Sequence, residues 1–332
     1  MTDPIALARS LVTIPSPTGQ ESAVTAHLAS VLAGLGWQVI RQPVSEGREN
    51  LYAYREPPVL VFSTHLDVVP PHLPVRDDDE WLWGRGACDA KGIAAAMVAA
   101  AERLASKGER RIGLLFLVGE EAGADGAHAA AALEPKGRFL INGEPTDNLL
   151  VTAAKGALRV ELQATGRAAH SAYPREGASA ILRLLDTLER IRRMPMPFDP
   201  VLGETTLNIG LLRGGVAPNV IPAEAGATLL FRTVGRTEVL RENLTRLLDA
   251  NVTAEVVSEI PALSAPAPEG WDSTTVAFAS DLPFMGAWGY GVMMGPGSIR
   301  VAHTDEERIR KADLLEGIER YVRLAEDLLK QA

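Results

Sequence analysis

The sequence predicts an α/β protein in which a mainly parallel sheet flanked by helices is interrupted by a separate α+β domain. Three observations lead there. Up to Glu144, short unbroken apolar runs alternate with helical periods, the pattern of strands buried on both faces. Beyond Lys155-Gly156 the runs change to the alternation of half-exposed strands. At Gly291 to Met294 an apolar run of the first kind returns. A chain of 332 residues is also too long for one simple core and suits two domains.

The elements follow in order. Glu21 to Leu35 has helical periodicity and meets stop signals at Gly34 and Gly36. Val59 to Phe62, after two prolines, reads as a buried strand, as do Ile112 to Val118 and Phe139 to Ile141. Between them, Lys91 to Ser106 reads as an alanine-rich helix and Ala122 to Leu133 as another. The second pattern comprises strands over Leu158 to Thr165, Thr205 to Leu212, Ala225 to Phe231 and Val252 to Val257, with helices over Ala178 to Arg193 and Glu238 to Ala250. Pro261 to Gly270 holds three prolines and reads as a linker. Asp305 to Leu329 reads as a closing helix. The expected organisation is one discontinuous domain, 1–155 and 263–332, with a second domain, 156–262, inserted into it.

Hydrophobic residues make up 46% of the chain, ample for a core. The formal charge, 33 − 42 = −9, argues against nucleic acid or an anionic membrane as partner. Cys88 is the one cysteine, so no disulfide framework forms within the chain, which fits a reducing cytoplasm. Met1 to Ser10 carries Asp3 and Pro4 and lacks the apolar core of a signal peptide. The longest apolar run, Ile93 to Ala101, is too short to span a bilayer. Asp77 to Glu80 reads as an exposed acidic turn, with Trp81 and Trp83 packed beneath it.

Chemistry-bearing residues stand just past the buried strands. His65 and Asp67 follow the first, Glu120 and Glu121 the second, Glu144 the third, and Gly295, Gly297 and His303 the last. Open α/β sheets bind ligands beyond the carboxyl ends of their strands, so these side chains are expected to converge. Carboxylates crowded together resist ionisation, and a divalent cation relieves them. Imidazole nitrogen with carboxylate oxygen suits zinc, or cobalt or manganese in its place. A nicotinamide-dependent oxidoreductase is excluded, because Thr64-His65-Leu66-Asp67 stands where its glycine fingerprint would follow the first strand.

Several motifs carry a family resemblance. Thr64-His65-Leu66-Asp67-Val68-Val69-Pro70, Gly84 to Gly92 around Asp89, Gly119-Glu120-Glu121-Ala122-Gly123, Gly143-Glu144-Pro145-Thr146 and Ala302-His303-Thr304-Asp305-Glu306 occur in this order. Together they resemble the co-catalytic zinc hydrolases that include acetylornithine deacetylase, succinyl-diaminopimelate desuccinylase, aminoacylase and carboxypeptidase G. The resemblance implies a zinc exopeptidase-like catalytic domain and an inserted lid that usually forms a homodimer. It implies two Zn2+ per subunit. His65 and Glu144 would hold one, Glu121 and His303 the other, and Asp89 would bridge them, followed by a cis peptide to Ala90. Asp67 would orient the His65 ring, and Glu120 would be the general base for water activated at the metals. In the lid, Gly166-Arg167-Ala168-Ala169-His170-Ser171 resembles a motif whose histidine stabilises the oxyanion across the dimer. Asn219, in Gly214 to Pro222, and Arg232 resemble substrate-binding residues, although Leu230 stands where the family usually has an acid. Gly295 and Gly297 are candidates to offer backbone amides to the substrate.

The tail from Gly295 to Thr304 most resembles the acetylornithine deacetylase branch, which implies a deacylase of small N-acyl amino acids in amino-acid biosynthesis. A metallo-dipeptidase, a carboxypeptidase or a desuccinylase shares the same metal centre and stays open as an alternative.

Overall fold

The computed structural model describes residues 3–331; Met1 and Thr2 of the opening segment, and Ala332, lie outside the described residues. The chain divides into two compact units, 1–152 with 265–274 and 280–332, and 153–264 with 275–279. The expected boundaries, 155/156 and 262/263, lie within a few residues of two of these, and the return of 275–279 to the smaller unit was not expected.

In the larger unit the strands Leu60–His65, Ile112–Leu117, Phe139–Asn142 and Tyr290–Met293 form a parallel core. Leu60 pairs with both Ile112 and Phe139, and Tyr290 with Phe139, so these strands start level. The first three are buried throughout, which is why they carry no alternation. Antiparallel strands flank them: Arg48–Tyr54 pairs with Ile112–Leu117, Gln38–Ser45 forms the outer edge, and Leu150–Ala154 adjoins Tyr290–Met293. Helix Lys91–Ser106, buried along most of its length, packs against helices Pro4–Thr13 and Lys311–Leu329. The first of these begins where Asp3 accepts from the N–H groups of Ile5 (2.9 Å) and Ala6 (3.3 Å), with Pro4 at its first position.

The smaller unit is a four-stranded antiparallel sheet in the order Thr206–Gly214, Glu224–Thr233, Gly156–Thr165, Val252–Ile260. Helix Ala180–Arg192 lies on it and buries Leu184, Leu188 and Ile191 against Leu158, Val160, Leu229 and Phe231.

Several elements differ from expectation. The helix foreseen over Ala122 to Leu133 is only Asp125–Ala130. Ahead of it, the N–H groups of Ala122, Gly123 and Ala124 all turn onto the carbonyl of Gly119, and Ala124 has a φ of 62°. The closing helix starts at Lys311, because Arg308–Arg310 is a strand paired with Trp81–Trp83. The linker contains Leu263–Ser264, which pairs with Ala153 and Ala154. Asp77 is not an exposed turn residue: its carboxylate is mostly buried between Arg9 and Lys311. The two tryptophans are half-buried, with Arg76 over Trp83 and Arg308 over both. Among the described residues no helix is long and apolar enough to cross a membrane.

Candidate metal centre and active site

His65 ends the Leu60–His65 strand with its ring buried. Its Nδ1 stands 2.9 Å from the main-chain oxygen of Asp67, which only accepts, so Nδ1 carries the proton and Nε2 is left for a ligand. Nε2 lies 3.1 Å from Oδ1 of Asp89. The other Asp89 oxygen, Oδ2, lies 3.4 Å from Nε2 of His303, and that nitrogen is 3.0 Å from Oε1 of Glu121. Ligand atoms of His65, Asp89 and Glu144 lie within 4.8 Å of one another, and so do those of Asp89, Glu121 and His303. Asp89 belongs to both groups, and the Asp89-Ala90 peptide is cis.

The donor set fits two divalent cations, one imidazole and two carboxylates each. The electrostatics of the bare cluster agree. Burial, with Glu144 close by, pushes the Glu120 carboxyl well up. Burial also pushes Glu144 well up and Glu121 up. An oxygen of Glu144, Oε1, is buried without a partner. The His303 ring is raised to about 10 by its hydrogen bonds to Asp89 and Glu121. Burial works against ionisation of Asp89, yet the two imidazoles hold its carboxyl well below the usual range. A divalent cation at each group would take over the neutralising role that protons play in the bare cluster.

A supporting layer fixes these side chains. Asp67 faces the His65 ring twice, its main-chain carbonyl 2.9 Å and its carboxylate 3.6 Å from Nδ1. That carboxylate also accepts from the N–H groups of Glu120 and Glu121, both at 3.1 Å, and from the Thr18 hydroxyl at 2.7 Å. Glu307 does the same for Asp89: its Oε1 takes the N–H groups of Gly86 (2.8 Å), Cys88 (3.3 Å) and Asp89 (3.2 Å), and its Oε2 pairs with Arg85 at 2.7 Å. Sequence reasoning missed Glu307, which lies one residue past the last motif. It also missed Asp281, buried at the start of a short turn, with Oδ1 unpartnered and its carboxyl pushed by burial up to about 7.

The glycines of the rim have structural reasons. The Gly295 N–H donates to Thr146 Oγ1 at 3.0 Å, and a Cβ there would lie 2.5 Å from the Glu144 carbonyl. The Gly295 amide is therefore engaged rather than offered. Gly297 has a φ of 87°, and a Cβ there would meet Cys88 Sγ. Burial raises the Cys88 thiol well above its ordinary range, so it packs as a neutral group. His303 itself is left-handed, with a φ of 62°, a conformation uncommon among non-glycine residues.

The remaining candidates lie in the smaller unit. His170 is exposed, its Nδ1 accepts from Ala172 N at 3.1 Å, and its ring meets Tyr173 edge-on. The Asn219 loop is stitched to it, Ser171 N to Asn219 O at 3.0 Å and Ile221 N to Ala169 O at 2.8 Å. Arg232 is half-buried on strand Glu224–Thr233, opposite Ala157 and Thr206. So the structure brings His65, Asp67, Asp89, Glu120, Glu121, Glu144 and His303 together in one unit, and His170 with Asn219 in the other.

Comparison with known proteins agrees with this geometry. The description "Peptidase family M20/M25/M40" matches residues 61–327. A peptidase M20 domain-containing protein of Schizosaccharomyces pombe is 36% identical over 338 residues, covering 96% of this chain and 83% of its own. A protein of Aspergillus terreus named as a probable carboxypeptidase is 36% identical over 366 residues, covering 96% and 84%. Among solved structures, a tripeptidase from Staphylococcus aureus superposes with a TM-score of 0.78 at 23% identity, covering 96% of each chain. The chain thus belongs to peptidase family M20/M25/M40, a family of dinuclear metal-dependent hydrolases, and is a hydrolase.

Proposed function

We propose that the chain hydrolyses the amide bond joining a small acyl or peptidyl group to a carboxyl-terminal amino acid. The observation that carries this reading is the pair of three-residue donor groups sharing Asp89, with the buried Glu120 beside them. When bound, two divalent cations, zinc or else cobalt or manganese, supply Lewis acidity to the carbonyl and to a water. His65, Asp89 and Glu144 would hold one, and Asp89, Glu121 and His303 the other. Glu120 takes a proton from the attacking water as its oxygen bonds to the carbonyl carbon. It returns that proton to the nitrogen as the C–N bond breaks, leaving a carboxylate and an amine. A carboxylate placed within reach of both atoms can serve both steps. Asp67 fixes the Glu120 backbone.

The names of the curated relatives favour a carboxypeptidase reaction. The tail from Gly295 to Thr304 favours the second substrate class, N-acyl amino acids. Arg232 would grip the substrate carboxylate with its planar fork, Asn219 and the Gly297 amide would donate to the substrate, and His170 would stabilise the oxyanion from the partner in a homodimer. The single buried cysteine fits a cytoplasmic setting. The test is amine release from a panel of dipeptides, tripeptides, N-acetyl and N-succinyl amino acids, after chelation and after adding zinc, cobalt or manganese. Metal-dependent release of a carboxyl-terminal amino acid supports the reading; no release from any member of the panel sinks it.

A further inference from the structure

Glu120 and Glu121 sit on a turn, and both ends of that turn are anchored. On one side their N–H groups are held by Asp67. On the other stands an ion cluster with no part in the reaction above. The Arg48 guanidinium meets the buried Glu21 through Nε (3.0 Å to Oε2) and Nη2 (2.8 Å to Oε1). Its Nη1 reaches Asp125 Oδ2, and Nη2 lies 3.4 Å from Asp125 Oδ1. Asp125 is the first residue of the short helix that closes the turn. The turn presses directly on this cluster: Gly119 has a φ of 82°, and a Cβ there would collide with the Asp125 carboxylate and lie 2.6 Å from Arg48 Nη2. Two residues along the strand, Asn50 takes the Val118 N–H at 3.2 Å and donates to the Gly126 carbonyl at 2.8 Å.

Glu21 has a second connection. It ends the segment that begins at Ser16, whose hydroxyl bonds the Leu66 carbonyl at 2.7 Å, and that includes Thr18, bonded to Asp67 at 2.7 Å. The segment therefore touches the His65-to-Asp67 ligand stretch at one end and, through Arg48, the base-bearing turn at the other.

We propose that Arg48, bridging Glu21 and Asp125, is a positioning residue that sets the orientation of the Gly119-to-Glu121 turn and so aims Glu120. This rests on Glu120 being the base of the proposed reaction. The guanidinium suits the task because its rigid planar fork fixes two carboxylates at set angles, which a flexible ammonium does not. It touches no ligand atom, so the number of cations held is expected to survive its loss, while the aim of Glu120 does not. A displacement of about 1 Å at a reacting group costs up to ~100-fold in rate.

The test uses the metal-loaded full chain, with Arg48→Met, Arg48→Lys and Asp125→Asn. The last changes the more exposed partner and leaves the Arg48–Glu21 pair in place, so a fold failure of the first does not decide the matter. Metal content, kcat and KM separately, and hydrogen exchange of 118–124 against 60–65 are measured. The expected result is a kcat lowered ~10-fold or more, an unchanged KM, two bound metals, faster exchange in 118–124 alone, and partial recovery in Arg48→Lys. A kcat within about twofold of wild type in folded, metal-loaded variants overturns the proposal; so does a loss of activity that only follows lost metal or folded fraction. If the wild type cleaves no amide, the functional reading fails by itself. The exchange comparison then still decides whether Arg48 holds the turn, and unchanged exchange overturns that too.

Discussion

Two imidazoles face the two oxygens of one carboxylate at Asp89, and Glu307 gathers the N–H groups around that residue. Replacing Glu307 by Gln keeps its size but strips the charge that Arg85 and three amides answer. The expected result is a 10- to 100-fold loss of metal affinity, by the usual magnitude for such supporting partners, measured by competition with a chelator; unchanged affinity would remove Glu307 from the site's support. His303 carries a second prediction. Its ordinary value is 6.5 and its raised value about 10, so at pH 7 the bare protein holds a proton there. A coordinated ring must give that proton up, so zinc uptake releases protons and tightens as pH rises toward the raised value. Calorimetry in buffers of different ionisation enthalpy measures this, and a heat independent of buffer contradicts it. His65, Glu120, Glu121 and Glu144 were legible as ligand-type residues because each stands at or just past the end of a buried strand, whereas Asp89 was legible only through its motif. Glu307 escaped sequence reading because its role depends on what the chain folds beside it, the amides of 86–89, and the burial of Asp281 is likewise set by the fold.

The buried strands of the parallel core were legible as unbroken apolar runs. The Gln38–Ser45 and Arg48–Tyr54 hairpin was not, because its outer strand holds polar residues and Pro43 and lies at a sheet edge, where proline is tolerated. The Ala122 to Leu133 helix failed at its start because the turn that presents Glu120 uses the amides a helix would need. Within the core, Phe62 is fully buried and meets Tyr321 of the closing helix edge-on, with centroids 5.5 Å apart. Phe62→Ala is expected to cost about 3–5 kcal/mol in urea unfolding. Lys91 begins the Lys91–Ser106 helix, buried, with Nζ 2.6 Å from the Ile14 carbonyl. Burial lowers it from 10.5 to about 8. Between those values the unfolded chain binds more protons than the native one, so Lys91 favours folding increasingly as pH rises through that window and loses this contribution as pH falls through about 8. Unfolding free energies of wild type and Lys91→Met, compared at pH 7 and pH 10, are expected to diverge in the wild type's favour at the higher pH; a constant difference would discard this account.

For the whole molecule, the candidate ligands come from one unit but from distant parts of the chain, so a cation held by them would also contribute folding energy. Saturating zinc at about 100 times its dissociation constant adds about 2.7 kcal/mol. A chelator is therefore expected to lower the melting temperature measured by calorimetry, and an unmoved transition would argue against any structural weight for the site. The larger unit is assembled from three stretches, with the smaller unit's residues lying between Glu144 and His303 in sequence. That interruption has a consequence during synthesis. When Glu144 has been made, every donor of the first group exists, but the second still lacks His303. The ribosome needs on the order of ten seconds to reach it. Strand Phe139–Asn142 meanwhile waits for its neighbour Tyr290–Met293. If the two groups hold cations as proposed, a nascent chain would complete the first site before the second, and chains halted before His303 would be caught between the two.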